Sequence, residues 1–263
     1  MGISVGSQGL SRVLDELFAN LKNDFVFNYR DDLVIYSRSV EEHAKHVRVV
    51  LDRLQTAGFT LNFHKVNIAA TEIQYLGHIL SSKGISVLPD RIAVICSYPR
   101  PNNLRALRRF LGMAGVYARF IPEFSRFAAA LLALKRKGVP FDWTCEHQEA
   151  FEALKRALSQ APVLQIPDFN REFILVTDAS DLAISAVLNQ RVGGNLAPIS
   201  FYSRLLSPAE RNYSAYEKAC LAVLFGCEKC RPYLEHTEFE LHCDNLALYW
   251  LLKRVKEIGH IGR

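Results

Sequence analysis

Two aspartates stand at the ends of strand-like runs, where a carboxylate is held stiffly and its oxygens face outward. Asp178 closely follows the apolar run at residues 173–176, whose composition predicts a buried strand. Asp244 ends a second run, residues 238–243, in which apolar and polar residues alternate. If these strands are neighbours, both carboxylates meet at one sheet edge, in outline a two-metal site for phosphodiester cleavage. Taken alone, Asp178 favours the simpler interpretation of a side chain that caps the next turn.

The elements around these aspartates predict an α/β unit in the second half of the chain. Residues 184–190 and 198–202 predict two further strands, separated by a turn at Gly193-Gly194. Residues 214–230 predict a long helix that lies between the two aspartate strands in sequence, with Leu221, Leu224 and Phe225 on its inner face.

A second pair of carboxylates, Asp31 and Asp32, lies between the β-prone runs 25–29 and 33–36. The pattern predicts a hairpin with Arg30 and the two aspartates at its tip. Adjacent carboxylates repel each other unless cations neutralise them. The alternative is an ordinary Asp-rich turn exposed to water.

Basic residues form two candidate contacts for a polyanion. Asn103 predicts the start of a helix whose apolar residues share one face, with arginines away from that face. These cations are either a solvated helix face or phosphate contacts, and the sequence leaves both open. The candidate nucleic-acid contacts are Arg105, Arg108, Arg109, Lys253, Arg254 and Lys256.

The overall composition sets broad limits on the class of protein. The chain has 263 residues, 49% of them hydrophobic, which suggests about two domains with buried cores. A formal charge of +5 permits a polyanionic partner without requiring one. No signal peptide or membrane segment is predicted, so we expect an intracellular protein in the cytoplasm or nucleus. The six cysteines lack zinc-ligand spacing and are expected to be reduced thiols.

Several motifs, in order along nearly the whole chain, resemble those of one family. Tyr29-Arg30-Asp31-Asp32 resembles the Tyr-x-Asp-Asp hairpin of reverse transcriptases. Other motifs are similar to those of gypsy-type long-terminal-repeat retrotransposon Pol polyproteins, namely Tyr75-Leu76-Gly77-His78, Phe110-Leu111-Gly112, Tyr117-Ala118-Arg119-Phe120-Ile121-Pro122, Phe141-Asp142-Trp143-Thr144, Thr177-Asp178-Ala179-Ser180 and Asp244-Asn245. The last two resemble the ribonuclease H segment of these polyproteins.

The resemblance implies a mixed α/β (α+β) fold in three parts. These are a partial polymerase palm at residues 1–90, thumb and connection helices at 91–140, and a ribonuclease H-like mixed sheet with helices at 141–263, cut short at its C-terminal end. It further implies RNA-directed DNA synthesis, hydrolysis of RNA in RNA–DNA hybrids, and Mg²⁺ as the cofactor. Hybrid duplex or another nucleic acid is the implied partner.

The same resemblance implies roles for five acidic residues. Asp31 and Asp32 match the catalytic, metal-binding pair of the polymerase hairpin. Asp178 and Asp244 match the first and third metal-binding carboxylates of ribonuclease H. Glu217 is the remaining candidate for the second.

Departures from the family pattern predict that activity is lost. The first palm aspartate of the family lies before the start of this chain, and Arg30 replaces a small or medium apolar residue beside the primer end. Ala219 stands where the family's second ribonuclease H carboxylate is usually found, and the fourth is expected beyond Arg263. Glu217 is two residues away from Ala219, about 200° around a helix, so it should face away from the metals. We expect no polymerase activity and little or no hydrolysis; the alternative is a non-catalytic remnant that binds nucleic acid.

Overall fold

The computed structural model describes residues 6–21, 24–29 and 32–245. The chain divides into two compact units, residues 1–71 and 72–263. Both combine helices with antiparallel strands, and the second also contains a parallel strand pair, so the mixed α/β fold predicted from the sequence is confirmed. None of the described helices is long and apolar enough to cross a membrane. All six cysteines are free.

The first unit is a hairpin with two helices. Its elements are α1 (Gly6–Leu17), β1 (Val26–Tyr29), β2 (Asp32–Ile35), α2 (Val40–Thr56) and a 3-10 turn (Phe63–Lys65). Tyr29 pairs with Asp32 in the antiparallel register, so the predicted three-residue tip was wrong and Asp32 belongs to β2. Ser39 caps α2 by accepting a hydrogen bond from the amide of Glu42 at 3.2 Å, as its position before an apolar helical pattern predicts.

The second unit begins with a small antiparallel sheet followed by a group of helices. These elements are β3 (Glu72–Tyr75), β4 (His78–Ser81), β5 (Gly84–Val87), α3 (Pro89–Cys96), α4 (Leu104–Val116), α5 (Phe124–Phe127), α6 (Ala129–Ala133) and α7 (Cys145–Ser159), with a 3-10 turn at Ala118–Phe120. One hydrophobic core joins β5 to the helices, and Phe110 and Phe151 are buried in it with ring centroids 4.5 Å apart.

That core extends across residue 140. Its buried residues run from Val87 to Leu164 and include Leu154 and Leu158 of α7. By packing, α7 therefore belongs with the preceding helices. The predicted module boundaries at residues 90 and 140 remain a prediction.

The last part of the second unit is a four-stranded sheet covered by one long helix. Its elements are β6 (Phe173–Ala179), β7 (Ala183–Val192), β8 (Asn195–Leu205), a 3-10 turn (Glu210–Asn212), α8 (Ala215–Leu234) and β9 (Phe239–Cys243). The strand order is β8-β7-β6-β9, antiparallel except for the parallel pair of β6 and β9. The chain reaches β9 from β6 through β7, β8 and α8, and α8 crosses the sheet from β8 at one edge to β9 at the other.

The inner face of α8 agrees only in part with the predicted one. Ala222, Phe225 and Gly226 are buried against the sheet, whereas Leu224 is 62% exposed. The periodicity correctly placed Phe225 and the partly buried Leu221 on the packed face. It placed Leu224 wrongly because apolar residues occur almost all round this helix.

A partly buried ion pair links the end of β8 to the turn before α8. Arg204 donates to both carboxylate oxygens of Glu210, at 2.8 and 2.9 Å, and the Ser207 amide donates to the same carboxylate at 2.7 Å. These hydrogen bonds, that of Arg204 first, lower the pKa of Glu210 to about 2. The Arg204 guanidinium also lies 5.6 Å from the ring centroid of Phe225 in α8.

We expect this pair to stabilise the second unit above pH 4.5 and to lose its effect as the pH falls towards 2. The folded-state pKa of Glu210 is depressed, so folding favours the carboxylate, and protonation removes that advantage. Glu210→Gln should lower the free energy of unfolding by about 1 kcal/mol at pH 7, and this difference should shrink at pH 3. Urea unfolding at both pH values measures it. Glu123→Gln, which breaks an exposed pair with Arg126, is the control. A difference as large at pH 3 as at pH 7 would contradict the assignment.

Candidate active site

The parallel pairing of β6 and β9 brings Asp178 and Asp244 together. Thr177 lies opposite Cys243 in the register, so the next residue of each chain segment is an aspartate beside its counterpart. Neighbouring strands are about 4.8 Å apart. Both aspartates line one open cavity of about 170 Å³. The two strands are thus neighbours, as a shared carboxylate site requires.

Helix α8 forms the opposite wall of this cavity with small apolar side chains. Ala219 lines the cavity together with Ala215 and Ala222, one turn before and after it. Their methyl groups offer no ligand atom to a cation. The wall that faces the two aspartates therefore lacks a third carboxylate.

Glu217 is held elsewhere, at the beginning of α8. Its carboxylate accepts hydrogen bonds from the Ser214 amide and hydroxyl, both at 2.8 Å. These bonds, that of the backbone first, lower the pKa of Glu217. The side chain completes a capping box and is not among the residues that line the cavity. The structure therefore gives Glu217 a capping role and does not bring it to the aspartates as the predicted catalytic carboxylate.

The donor set decides how well a divalent metal fits. Within residues 6–21, 24–29 and 32–245, no group of three or more His, Cys, Asp or Glu side chains is placed to hold a metal ion. Mg²⁺ is commonly bound through one or two carboxylates while it keeps several waters. Asp178 and Asp244 are therefore compatible with one such ion, and the described residues add no third carboxylate for the pair of ions that a two-metal site uses.

The hairpin site lies in the first unit and is described in part. Asp32 is exposed at the first position of β2. Arg30 and Asp31 lie outside the described residues. Asn28 of β1 is buried and donates to Asp15 of α1 at 3.2 Å, which ties the hairpin to that helix.

The predicted arginine face is present on α4. Arg105, Arg108 and Arg109 are exposed on the side away from the buried residues of that helix. No carboxylate in the described part of the chain forms a salt bridge with them. Gly112 and Gly115 leave open space beside them, because a Cβ atom at either position would meet no neighbour within 4 Å. The second predicted basic stretch, Lys253, Arg254 and Lys256, lies outside the described residues.

The comparison with known proteins agrees with this arrangement. Residues 1–80 match the family model "Reverse transcriptase (RNA-dependent DNA polymerase)". Residues 143–241, which contain both Asp178 and α8, match "RNase H-like domain found in reverse transcriptase". The retrovirus-related Pol polyprotein from transposon 297 of Drosophila melanogaster is 38% identical over 249 residues, or 94% of this chain. The chain is a reverse transcriptase–ribonuclease H region of a retrotransposon polyprotein.

Other relatives of this reverse transcriptase–ribonuclease H region are similar over comparable lengths. The transposon Tf2-3 polyprotein of Schizosaccharomyces pombe is 34% identical over 237 residues, 90% of the chain. The chain spans 23% of the transposon 297 polyprotein and 18% of the Tf2-3 polyprotein.

Solved structures share the fold of the region. A foamy viral protease-reverse transcriptase in complex with double-stranded DNA has a TM-score of 0.85 and 22% identity, over 94% of this chain and 43% of that one. The foamy viral enzyme in complex with an RNA/DNA hybrid has a TM-score of 0.78 and 20% identity, over 95% of this chain and 36% of that one.

Sequence reasoning missed several residues around the aspartates. Cys243 and Asn245 flank Asp244 in sequence and both line the cavity. Ala215 and Ala222 stand four and three residues from Ala219, spacings that place residues on one helix face. The sequence feature that could have identified these alanines is their helical spacing around Ala219.

Proposed function

We propose that this region binds RNA–DNA hybrid or other duplex nucleic acid, and that its ribonuclease H-like centre binds divalent metal too weakly for efficient RNA cleavage. The observation that carries the proposal is Ala219, which lines the same cavity as Asp178 and Asp244 and offers it no ligand atom. Mg²⁺ is the proposed ion, held by the two aspartates with its remaining positions filled by water. A divalent ion bound there would polarise a phosphate oxygen and activate water.

The proposed nucleic-acid contact is the outer face of α4. Arg105 and Arg109 are like charges one turn apart, which destabilises an isolated helix. Phosphate groups would offset that repulsion, and the missing side chain of Gly112 lets a sugar–phosphate backbone approach the helix. Structures of the same fold in complex with double-stranded DNA and RNA/DNA hybrid support this choice of partner.

We also propose that this chain does not extend primers. Asp31 and Asp32 correspond to the polymerase pair, and Asp32 lies in a regular hairpin. In the family pattern the motif position of Arg30 adjoins the primer end, and a long cation at that position would crowd the terminal nucleotide. The order of the motifs supports a gypsy-type origin, with module boundaries at residues 90 and 140. An intracellular location remains part of this proposal.

Binding and catalysis are separable in one set of assays. The native chain should shift an 18-base-pair RNA–DNA hybrid in a gel, and the logarithm of its affinity should fall with the logarithm of the salt concentration. Replacing Arg105, Arg108 and Arg109 by Gln should lower the salt slope by up to about 3, roughly 0.9 for each phosphate that is no longer neutralised. The matched control replaces Arg126, Arg171 and Arg231, exposed arginines that already pair with carboxylates, and should leave the slope unchanged.

The same protein is then incubated with the hybrid, or with primed RNA template and nucleotides, in Mg²⁺. Neither RNA fragments nor extended primers are expected at rates above background. Efficient RNA cleavage would contradict the proposed weak centre, and templated extension would contradict the proposed loss of synthesis. A hybrid shift equal in both arginine variants would contradict the α4 interface.

A further inference from the structure

A salt bridge joins α8 to the turn that follows Asp178. The Lys218 ammonium nitrogen lies 2.7 Å from a carboxylate oxygen of Asp181. The Lys218 side chain is 9% exposed and the Asp181 side chain is 96% exposed. The aliphatic part of the Lys218 side chain is thus buried. Its ammonium group reaches the surface and forms the salt bridge with Asp181 there.

Asp181 lies in the turn that directly follows β6, so its position is coupled to that of the last residues of the strand. Ser180 fixes this turn: its hydroxyl oxygen accepts from the Ala183 amide at 3.1 Å, and its amide donates to the Ala183 carbonyl at 2.9 Å. Asp178 lies only three residues before Asp181. A contact that holds Asp181 against α8 therefore also sets the distance between α8 and Asp178.

A second point of close contact lies further along α8. A Cβ atom at Gly226 would be 3.1 Å from the Ala186 side chain and 3.2 Å from that of Thr177. Gly226 is eight residues from Lys218, about 12 Å along the helix axis. The contacts at Lys218 and at Gly226 together fix the direction of α8 over the sheet. They therefore also fix the distance between residue 219 and the two aspartates.

We propose that Lys218 is a positioning residue that holds the first turns of α8 against the end of β6, so that a side chain at position 219 reaches Asp178 and Asp244. This inference rests on the proposed divalent-metal site. It adds that the scaffold for a third ligand persists although the ligand itself is replaced by alanine. Because Asp181 is exposed and an asparagine at this position still offers an oxygen to the Lys218 ammonium group, Asp181→Asn should leave the chain folded while it loosens the first turns of α8.

The test measures Mn²⁺ affinity from the electron paramagnetic resonance signal of free Mn²⁺ in the full chain carrying Ala219→Glu. Adding Asp181→Asn should remove most of the affinity that Ala219→Glu adds, a weakening of roughly tenfold, which is within the range for loss of an outer-shell partner. Adding Lys218→Arg, which keeps the charge, should retain most of the affinity. Glu235→Gln breaks an exposed salt bridge at the other end of α8 and should leave the affinity unchanged.

Amide hydrogen exchange of the native chain gives a second readout that needs no metal. Asp181→Asn should accelerate exchange at residues 218–222 and leave residues 226–230 unchanged, since the Gly226 contact remains. Unchanged exchange and unchanged Mn²⁺ affinity would overturn the role of Lys218. If Ala219→Glu itself fails to bind Mn²⁺ more tightly than the native chain, the proposed metal site fails, and the exchange pattern alone then supports or overturns the positioning role.

Discussion

Ala219→Glu is expected to raise the affinity of the Asp178–Asp244 cavity for Mg²⁺ or Mn²⁺ by roughly tenfold or more, because affinity for these ions rises with the number of charged oxygen ligands. Position 219 lines the same cavity as both aspartates, so a carboxylate there converges on them. Cleavage of RNA in a hybrid by this variant should exceed that of the native chain. Titration calorimetry and release of labelled RNA fragments measure the two effects.

Two control variants distinguish the effect of the added carboxylate charge from that of the added side-chain volume. Ala219→Gln has nearly the same size without the charge and should leave metal affinity close to the native value. Cys220→Glu places the carboxylate about 100° further round α8 and should not strengthen metal binding. Equal affinities for the Glu and Gln variants at position 219 would show that the cavity does not use a third carboxylate.

Gly84→Ala is expected to destabilise the second unit by about 3 kcal/mol or more, the range of severe steric and backbone strain. Gly84 has a φ of +128°, and an added Cβ atom would overlap the Leu164 carbonyl oxygen. The overlap falls where Ile85 and Leu164 exchange backbone hydrogen bonds of 2.7 and 2.8 Å. The segment cannot move away without breaking this pairing, and Leu164 is fully buried in the core.

Thermal unfolding followed by circular dichroism measures this loss, with Gly115→Ala as the matched control. Gly115 lies in α4, where an added methyl group meets no atom within 4 Å. Replacing a helical glycine by alanine stabilises by roughly 0.5–1 kcal/mol, so the control should melt at the same or a higher temperature. Equal melting temperatures for the two variants would refute the close approach of β5 to Leu164.

Much of the candidate site could be predicted from local sequence patterns. Apolar runs that end in Asp178 and Asp244 predicted strands with a carboxylate at each end, because alternation and β-branched content depend on local sequence alone. The helical repeat likewise predicted that Glu217 points away from position 219, and the capping box agrees with it. The arginine face of α4 followed from the same periodicity.

The sequence by itself thus determined the residue types at the site, the strands and helices that carry them, and the absence of a carboxylate at position 219. Tertiary structure alone decided that β6 lies beside β9, that Leu224 faces solvent, that α7 packs with the preceding helices, and that Lys218 reaches Asp181. Each of these depends on contacts between residues far apart in the chain. Local sequence patterns do not record how closely such residues pack, as at Gly226, where the sheet admits no larger side chain without moving.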